Sequence, residues 1–244
     1  MKTVATIEAR MTSSRLPGKP LLPAADLPML GHLIRRLQTV SSLQGIVLAT
    51  TINCSDDPLA TLAEKMGVEV YRGSEDDVLA RVIGAAEQSK ADTIVEITGD
   101  CPIIDPDIIE QIVQIYIHND ADYVSNANER SYPDGMDVQV FSLATLKRSA
   151  ALTSDPLDHE HVTLHIKNNP KLFSQINVIA PPEICWPELG LTLDEEDDYI
   201  LIKAIIEHFY SENPLFSCLD VVRYLRRFPE LVSINDAVIR KHNE

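Results

Sequence analysis

Short apolar runs alternate with helical patterns through the first half of the chain. Runs that are mostly apolar and end at polar or glycine positions predict strands at 1–9, 45–51, 68–71, 93–97 and 122–125. Apolar residues at helical spacing predict helices at 29–40, 56–66, 78–86 and 105–119. Ser74 is the N-cap expected for the third of these helices. This alternation predicts an α/β fold in which helices cover both faces of a mostly parallel sheet.

The pattern is less regular after residue 125. It predicts a loop at 131–140 that leads into a strand, a helix at 158–168, a strand at 173–179 and helices at 197–210 and around 219–225. Leu191, Thr192 and Leu193 resemble a further short strand. We find no repeat, low-complexity stretch or linker composition, and we therefore expect residues 1–244 to form a single domain.

A cationic loop follows the first predicted strand. Within 9–20 it carries three fixed cations (Arg10, Arg15 and Lys19), serine hydroxyls that include Ser13, and Gly18. Phosphate oxygens bind guanidinium and ammonium donors, and a glycine lets backbone N–H groups come close to an anion. The loop therefore predicts a polyphosphate site that begins at Ala9. A solvated basic turn is the alternative interpretation.

The overall charge makes that loop unusual, because 21 Lys and Arg stand against 37 Asp and Glu, for a net charge of −16. So acidic a chain is not expected to have nucleic acid or an anionic membrane as its main partner. No apolar run approaches the ~20 residues of a membrane span, and no signal peptide is visible. The four cysteines are scattered without metal-type spacing, which is typical of reduced thiols. We expect a cytoplasmic protein.

Two aspartates follow strand-like segments and are candidates for a metal site. Asp100 follows Gly99 at the end of a predicted strand, and Asp194 follows the run that begins at Leu191. Ligand-binding sites of parallel sheets lie beyond the carboxyl ends of the strands, where these carboxylates would face the cationic loop. Mg²⁺ prefers a few hard oxygen ligands together with phosphate oxygens. Helix N-caps are the alternative role for both residues.

Two further segments are polar enough to contact a ligand. His161 and His165 would share a face of the predicted helix at 158–168, but the pattern is not HExxH, and solvated or substrate-contacting histidines are favoured over a zinc site. The loop from Tyr132 to Asp137 is of the kind that holds sugar hydroxyls, although a tight turn explains the same residues.

Taken in order, these motifs resemble a known family. Arg10-x-x-Ser13-x-Arg15-Leu-Pro-Gly-Lys19, Gly99-Asp-Cys-Pro102 and Leu191-Thr-Leu-Asp194 are similar to motifs of the cytidylyltransferases that make CMP-activated sugars. The segments at 77–81, 132–138 and 160–163 resemble the SpsF-like branch of that family. The resemblance spans about residues 2–210. It implies a Rossmann-like sheet of the nucleotide-diphosphosugar-transferase type with a less regular insert after residue 125, and Mg²⁺-dependent transfer of CMP from CTP to a sugar.

The resemblance also implies roles for individual residues. Arg10, Ser13, Arg15 and Lys19 would hold the triphosphate, Asp100 and Asp194 would bind Mg²⁺, and Arg81 would lie near the nucleotide. The residues implied for the sugar side are Tyr132, Asp134, Asp137, His159 and Glu160. A homodimer formed through the segment after residue 125 is expected on the same basis.

Two departures from the family pattern leave alternatives open. Family members usually carry glycine near the position of Asp26, and they often carry arginine where Gly190 stands here. One alternative is a nucleotidyltransferase that uses another nucleoside triphosphate or a sugar-1-phosphate. The other is a nucleotide-binding subunit without catalytic turnover.

Overall fold

The computed structural model of the protein describes residues 1–240. Its strands are β1 (Thr3–Glu8), β2 (Pro23–Ala24), β3 (Leu27–Pro28), β4 (Gly45–Thr51), β5 (Glu69–Gly73), β6 (Thr93–Thr98), β7 (Tyr123–Ser125), β8 (Gln139–Ser142) and β9 (Gln175–Asn177). Its helices are α1 (Met29–Leu37), α2 (Asp57–Lys65), α3 (Val78–Gln88), α4 (Pro106–Ile117), α5 (Leu143–Ala150), α6 (Pro156–Glu160), α7 (Leu164–Asn168), α8 (Glu196–Phe209), α9 (Cys218–Arg227) and α10 (Pro229–Val232). Short 3₁₀ turns cover Lys19–Leu21 and Cys54–Asp56.

Seven strands form one sheet in the order β5-β4-β1-β6-β8-β7-β9. Within it, β8 runs antiparallel to β6 and β7, while the other pairings are parallel. The remaining two strands, β2 and β3, form a small hairpin of their own. The mostly parallel sheet predicted from the alternation of strands and helices is confirmed.

Both faces of the sheet are covered, as side-chain alternation along β1 shows. Ala5 and Ile7 are fully buried in the larger apolar cluster, which includes residues of α1, α4, α8 and α9. Val4 points to the opposite face and is buried in a second cluster, with residues of α3 and α5. Because successive side chains of a strand point to opposite faces, a fully apolar strand is what a sheet with helices on both sides requires.

The first-half predictions match the structure to within a few residues, and β4 has the bounds predicted for it. The N-cap of α3 was predicted wrongly. Asp77 caps this helix by accepting a hydrogen bond from the backbone N–H of Ala80, while the hydroxyl of Ser74 accepts from the N–H of Asp77. The β2–β3 hairpin and α5 were not predicted. Both are short, and α5 has only Leu143 and Leu146 as an apolar signal.

Two predictions for the second half were also wrong. The helix expected at 158–168 is two short helices, α6 and α7, because the backbone leaves the helical region at His161, with φ −108° and ψ 85°. His161 and His165 therefore do not share a helix face. Among the described residues, the run from Leu191 to Leu193 belongs to no strand; the neighbouring Gly190 forms an isolated bridge with Asp134.

Candidate active site at the carboxyl edge of the sheet

The carboxyl ends of β1 and β6 meet at one edge of the sheet. Glu8 is paired with Thr98 in register, and the N–H of Gly99 donates to the carbonyl of Glu8 at 2.9 Å. A cavity of about 730 Å³ opens above this edge. The sequence-predicted site residues that line it are Ala9, Arg10, Ser13, Arg15, Lys19, Arg81, Asp100, Asp134, Asp137, Glu160 and Asp194. Residues separated by up to 185 positions in the chain thus share one cavity.

A buried carboxylate holds the start of the cationic loop. Asp56 is fully buried, and one of its oxygens accepts from the backbone N–H of Met11 at 2.8 Å. Its other oxygen accepts from the hydroxyls of Thr50 and Thr51. Burial by itself raises the pKa of Asp56, but these hydrogen bonds outweigh it, and the pKa lies below its usual value. The loop is therefore anchored to the end of β4.

Gly18 shapes the far end of the loop. It has φ +75°, a left-handed conformation that a residue with a side chain adopts only with strain, and it precedes the 3₁₀ turn that starts at Lys19. Its N–H donates to the carbonyl of Met11 at 2.9 Å, which closes the loop on itself. Gly18 does not line the cavity; it directs Lys19 into it.

Lys19 lies between the two candidate metal ligands. Its ammonium is 3.4 Å from a carboxylate oxygen of Asp100 and 3.2 Å from one of Asp194. Burial alone would lower the pKa of Lys19, but the two carboxylates outweigh burial, and the pKa is raised. Burial likewise opposes ionisation of Asp100, yet Lys19 and a hydrogen bond from Thr98 hold the pKa of Asp100 below its usual value. The two carboxylates thus converge on one cation position.

Hydrogen bonds between loops set that convergence. The N–H of Leu193 donates to the carbonyl of Asp100 at 2.8 Å, and the N–H of Asp194 donates to the carboxylate of Asp198 at 3.0 Å. Arg15 of the cationic loop reaches the same place, with its guanidinium 2.7 Å from the carboxylate of Asp194. We refer to residues 190–195 as the acidic loop.

The other two cations predicted from the sequence, Arg10 and Arg81, are engaged differently. Arg10 is partly exposed, and its guanidinium lies 3.4 Å from the carboxylate of Glu75. Arg81 is buried, and its guanidinium donates to the backbone carbonyls of Ala49 and Ser74. Arg10 can therefore turn towards an anion, whereas Arg81 ties α3 to β4 beside the cavity.

Three acidic candidates for the sugar side form another part of the cavity wall. Asp134 and Asp137 flank Arg130, at 3.0 Å and 3.7 Å from its guanidinium, and Glu160 is exposed at the end of α6. Burial is the main cause that raises the pKa of Asp137 to about 6, against the opposing charge of Arg130. Gly135 has φ +102°, and a Cβ there would lie 2.7 Å from the backbone of Leu191, so this wall packs directly on the acidic loop.

Two other candidates for the sugar side lie outside the cavity. Tyr132 is 2% exposed and belongs to the larger apolar cluster, and its hydroxyl has no hydrogen-bond partner among the described residues. His159 pairs with Asp77 at 3.0 Å. His165 pairs with Asp158 at 3.2 Å. Within residues 1–240, no group of three or more His, Cys, Asp or Glu side chains is arranged to hold a metal ion.

Several residues of the cavity were missed from the sequence. Glu8 and Glu96 line its floor, and burial together with their mutual proximity raises the pKa of Glu8 well above its usual value. Burial raises the pKa of Glu96 to about 7, against the opposing charge of Lys167. Glu96 had a usable signal, because it is a lone charge inside an apolar strand. Arg240 also lines the cavity, and no local pattern predicts it.

Comparison with known proteins agrees with this geometry. Residues 4–217 match a family model described as cytidylyltransferase. The chain belongs to the cytidylyltransferase family. The spore coat polysaccharide biosynthesis protein SpsF of Bacillus subtilis is 33% identical over 235 residues, which cover 95% of this chain and 97% of SpsF. The resemblance predicted from the motifs is confirmed.

Solved structures of similar proteins confirm the fold. A cytidylyltransferase from Leptospira borgpetersenii superimposes with a TM-score of 0.91 at 31% identity, covering 99% of this chain and all of the other. A CMP:2-keto-3-deoxy-manno-octonic acid synthetase complexed with CTP superimposes with a TM-score of 0.64 at 18% identity, covering 85% of this chain and 99% of the other. Across residues 1–240, no helix combines the length and apolar character needed to cross a bilayer.

Proposed function

We propose that the protein transfers CMP from CTP to a sugar, with release of pyrophosphate, in the synthesis of a surface polysaccharide. The observation that carries the proposal is the position of Lys19, between Asp100 and Asp194 in a cavity that the cationic loop enters. Membership of the cytidylyltransferase family and the similarity to SpsF support the use of CTP and a sugar acceptor.

The proposed reaction needs positioning and charge neutralisation more than covalent catalysis. The oxygen of a sugar hydroxyl bonds to the α-phosphorus of CTP, and the bond from that phosphorus to the bridging oxygen breaks. Pyrophosphate leaves with the electron pair of that bond, and the hydroxyl proton passes to water. Arg10, Arg15 and Lys19 would bind the triphosphate, with Ser13 as a hydroxyl donor. Asp134, Asp137 and Glu160 would orient the acceptor.

The residues present fit a magnesium ion. Asp100 and Asp194 present hard oxygen donors to the same point, as their shared contact with one ammonium demonstrates. Mg²⁺ commonly uses one or two carboxylates and completes its coordination with phosphate oxygens and water. When bound there, it would neutralise charge that develops on the phosphates. Lys19 would then pair with phosphate instead of the two aspartates.

Thermal unfolding with Mg²⁺ and each of CTP, UTP, ATP and GTP tests the nucleotide. A ligand at one hundred times its Kd stabilises the fold by ~2.7 kcal/mol, which is a rise in Tm of roughly 5–10 °C for a chain of this size. We expect CTP to give this rise and EDTA to reduce it. A rise in Tm with another nucleotide alone would show that this nucleotide, and not CTP, is the one bound. No rise with any of them would contradict the proposal.

Pyrophosphate release with a panel of sugars, including 3-deoxy-manno-octulosonate and sialic acid, tests turnover. Asp100→Ala should abolish release if the carboxylate binds the metal. Asp76→Ala is the matched control, because Asp76 is exposed and does not line the cavity. Normal turnover by the Asp100 variant would remove this residue from the proposed site.

We also propose a homodimer formed through the segment after residue 125. Between residues 150 and 180, four large apolar side chains are exposed, namely Leu152 at 55%, Leu157 at 46%, Leu172 at 55% and Ile179 at 54%. Exposed apolar surface is typical of an interface between protein chains. Light scattering on the purified protein should give about twice the chain mass of 27.1 kDa, and Leu172→Glu should reduce it. A monomeric wild-type protein would contradict the proposal.

A further inference from the structure

The segment that follows α10 returns to the cavity, and Arg240 ends inside its wall. This segment lies beyond residues 4–217, the part that the family model matches. The guanidinium of Arg240 is only 11% exposed, and it lines the cavity together with Asp134 and Asp194. The family assignment therefore gives this arginine no role.

Arg240 makes three polar contacts with other described residues. Its guanidinium donates to the hydroxyl of Thr192 at 2.7 Å and to the carboxylate of Asp198 at 2.8 Å, and it lies 3.9 Å from the carboxylate of Asp134. Thr192 belongs to the acidic loop, and Asp134 belongs to the wall proposed for the sugar. One side chain thus bridges both halves of the proposed site.

Asp198 links Arg240 to the acidic loop through hydrogen bonds to both. It is fully buried, and one of its oxygens accepts from Arg240 and from the side-chain amide of Asn235. Its other oxygen accepts from the N–H groups of Asp194 and Glu195. A buried carboxylate that loses a charged partner becomes costly and rearranges. Removal of Arg240 should therefore loosen the backbone that carries Asp194.

The cationic loop contacts the same segment. Arg15 pairs with Asp194 and also donates to the backbone carbonyl of Ile239 at 3.3 Å. The segment from Asn235 to Arg240 therefore touches the acidic loop through Asp198 and the cationic loop through Arg15.

Gly190 provides the space that Arg240 fills. A Cβ at this position would overlap the guanidinium of Arg240, to which the three nearest atoms among the described residues belong. The backbone of Gly190 does not lie in the left-handed region, so a larger residue is excluded there by Arg240 and not by the backbone. A long side chain at 190 and the arginine at 240 are thus alternative occupants of one space.

We propose that Arg240 is a positioning residue of the nucleotide site, which holds the acidic loop, and with it Asp194, in the geometry that binds CTP. The inference rests on the proposed use of CTP. The cation that pairs with Asp198 behind the acidic loop comes from a distant part of the chain and fills the space beside Gly190.

The test measures CTP binding in Mg²⁺ for a set of variants. Arg240→Ala should raise the Kd of CTP about tenfold, the scale of a lost hydrogen bond to a charged group. Arg226→Ala is the matched control, because Arg226 donates to backbone carbonyls of Glu183 and Cys185 and does not line the cavity. An unchanged Kd for the Arg240 variant would overturn the proposal.

Substitutions at position 190 test whether Arg240 acts through its charge or only through the volume that it fills. Gly190→Arg combined with Arg240→Ala should recover most of the affinity, because the new guanidinium can enter the vacated space. Gly190→Met combined with Arg240→Ala fills that space without charge and should not recover it. Equal rescue by methionine would show that Arg240 only fills space, and would overturn its role as a cation.

Hydrogen exchange gives a readout that does not depend on CTP. The amides of Asp194 and Glu195 should exchange at least tenfold faster in Arg240→Ala than in the wild type, and Arg226→Ala should not change them. Arg240→Lys, which keeps the charge, should fall between the two and serves if the alanine variant does not fold. Unchanged exchange would overturn the positioning role. If the wild type binds no CTP, the proposed function fails, while exchange still decides whether Arg240 holds the loop.

Discussion

Gly99, directly after β6, lies so close to Glu8 at the end of β1 that a side chain at position 99 would collide with the Glu8 backbone. The N–H of Gly99 donates to the carbonyl of Glu8 at 2.9 Å, and a Cβ at position 99 would lie 2.7 Å from that carbonyl oxygen and 2.8 Å from the Cβ of Ala9. The contact fixes the spacing between the ends of β1 and β6, from which the cationic loop and Asp100 emerge. The geometry of the proposed site therefore depends on the absence of a side chain at Gly99.

Gly99→Ala should separate these strand ends. The added methyl group meets backbone and a neighbouring Cβ, which cannot rotate away, so we expect a loss of about 1–3 kcal/mol in the free energy of unfolding. CTP binding should weaken with it. Gly45→Ala is the control, since a Cβ at Gly45 has no atom closer than 3.6 Å and should leave stability nearly unchanged. Urea unfolding of both variants measures the difference, and an equally stable Gly99 variant would show that the strand ends are more tolerant than this contact indicates.

Lys19→Met should weaken CTP binding and leave two carboxylates facing each other. The ammonium contacts both Asp100 and Asp194, and hydrogen bonds to charged groups contribute about 1.5–3 kcal/mol each. Loss of one such bond to phosphate corresponds to a Kd increase of roughly 10- to 100-fold, measured by calorimetry. Lys203→Met removes an exposed lysine that pairs with Glu207 at 3.8 Å and should not change the Kd. The same Kd in both variants would exclude Lys19 from the nucleotide site.

Asp56→Asn should release the start of the cationic loop. The amide would direct a donor group at the donors that now bind the carboxylate, at a cost of about 1–3 kcal/mol. Because hydrogen bonds lower the pKa of Asp56 in the folded protein, its stabilising contribution is present above the unfolded pKa and is lost as the pH falls through the folded pKa. Urea unfolding between pH 3 and pH 7 should show a smaller acid-induced loss for Asp56→Asn than for the wild type, whereas Asp76→Asn should follow the wild type.

Glu96→Gln should change the pH dependence of stability in the direction opposite to that of Asp56→Asn. Burial raises the pKa of Glu96 to about 7, with Glu8 beside it and Lys167 opposing the shift. A raised pKa stabilises the fold fully below the unfolded value of ~4.3, and this contribution is lost as the pH rises towards 7. The wild type should therefore lose stability between about pH 4 and pH 7, and Glu96→Gln should lose less. Glu64→Gln changes an exposed residue and should keep the wild-type dependence of stability on pH. If Glu96→Gln also keeps it, the raised pKa of Glu96 is contradicted.

Sequence patterns were sufficient to predict the strands of the parallel part of the sheet, the cationic loop that follows β1, and Asp100, which follows β6. Apolar strands such as β4 and β6 are buried on both faces, so their composition differs from that of any other segment. The cationic loop was visible because three cations and a glycine follow a strand in an acidic chain. Asp100 was visible because it ends such a strand.

The surroundings of those residues depend on how distant segments pack together. The acidic loop belongs to none of the described strands, and hydrogen bonds to Asp100 and Asp198 place it. Tyr132, which has a polar group, is buried in an apolar cluster, because packing on distant segments decides its environment. Arg240 reaches the cavity from 46 positions beyond Asp194, and no periodicity encodes a contact of that kind. Local patterns report which face of an element is buried, whereas a site assembled from loops is set by contacts between segments that are distant in the chain.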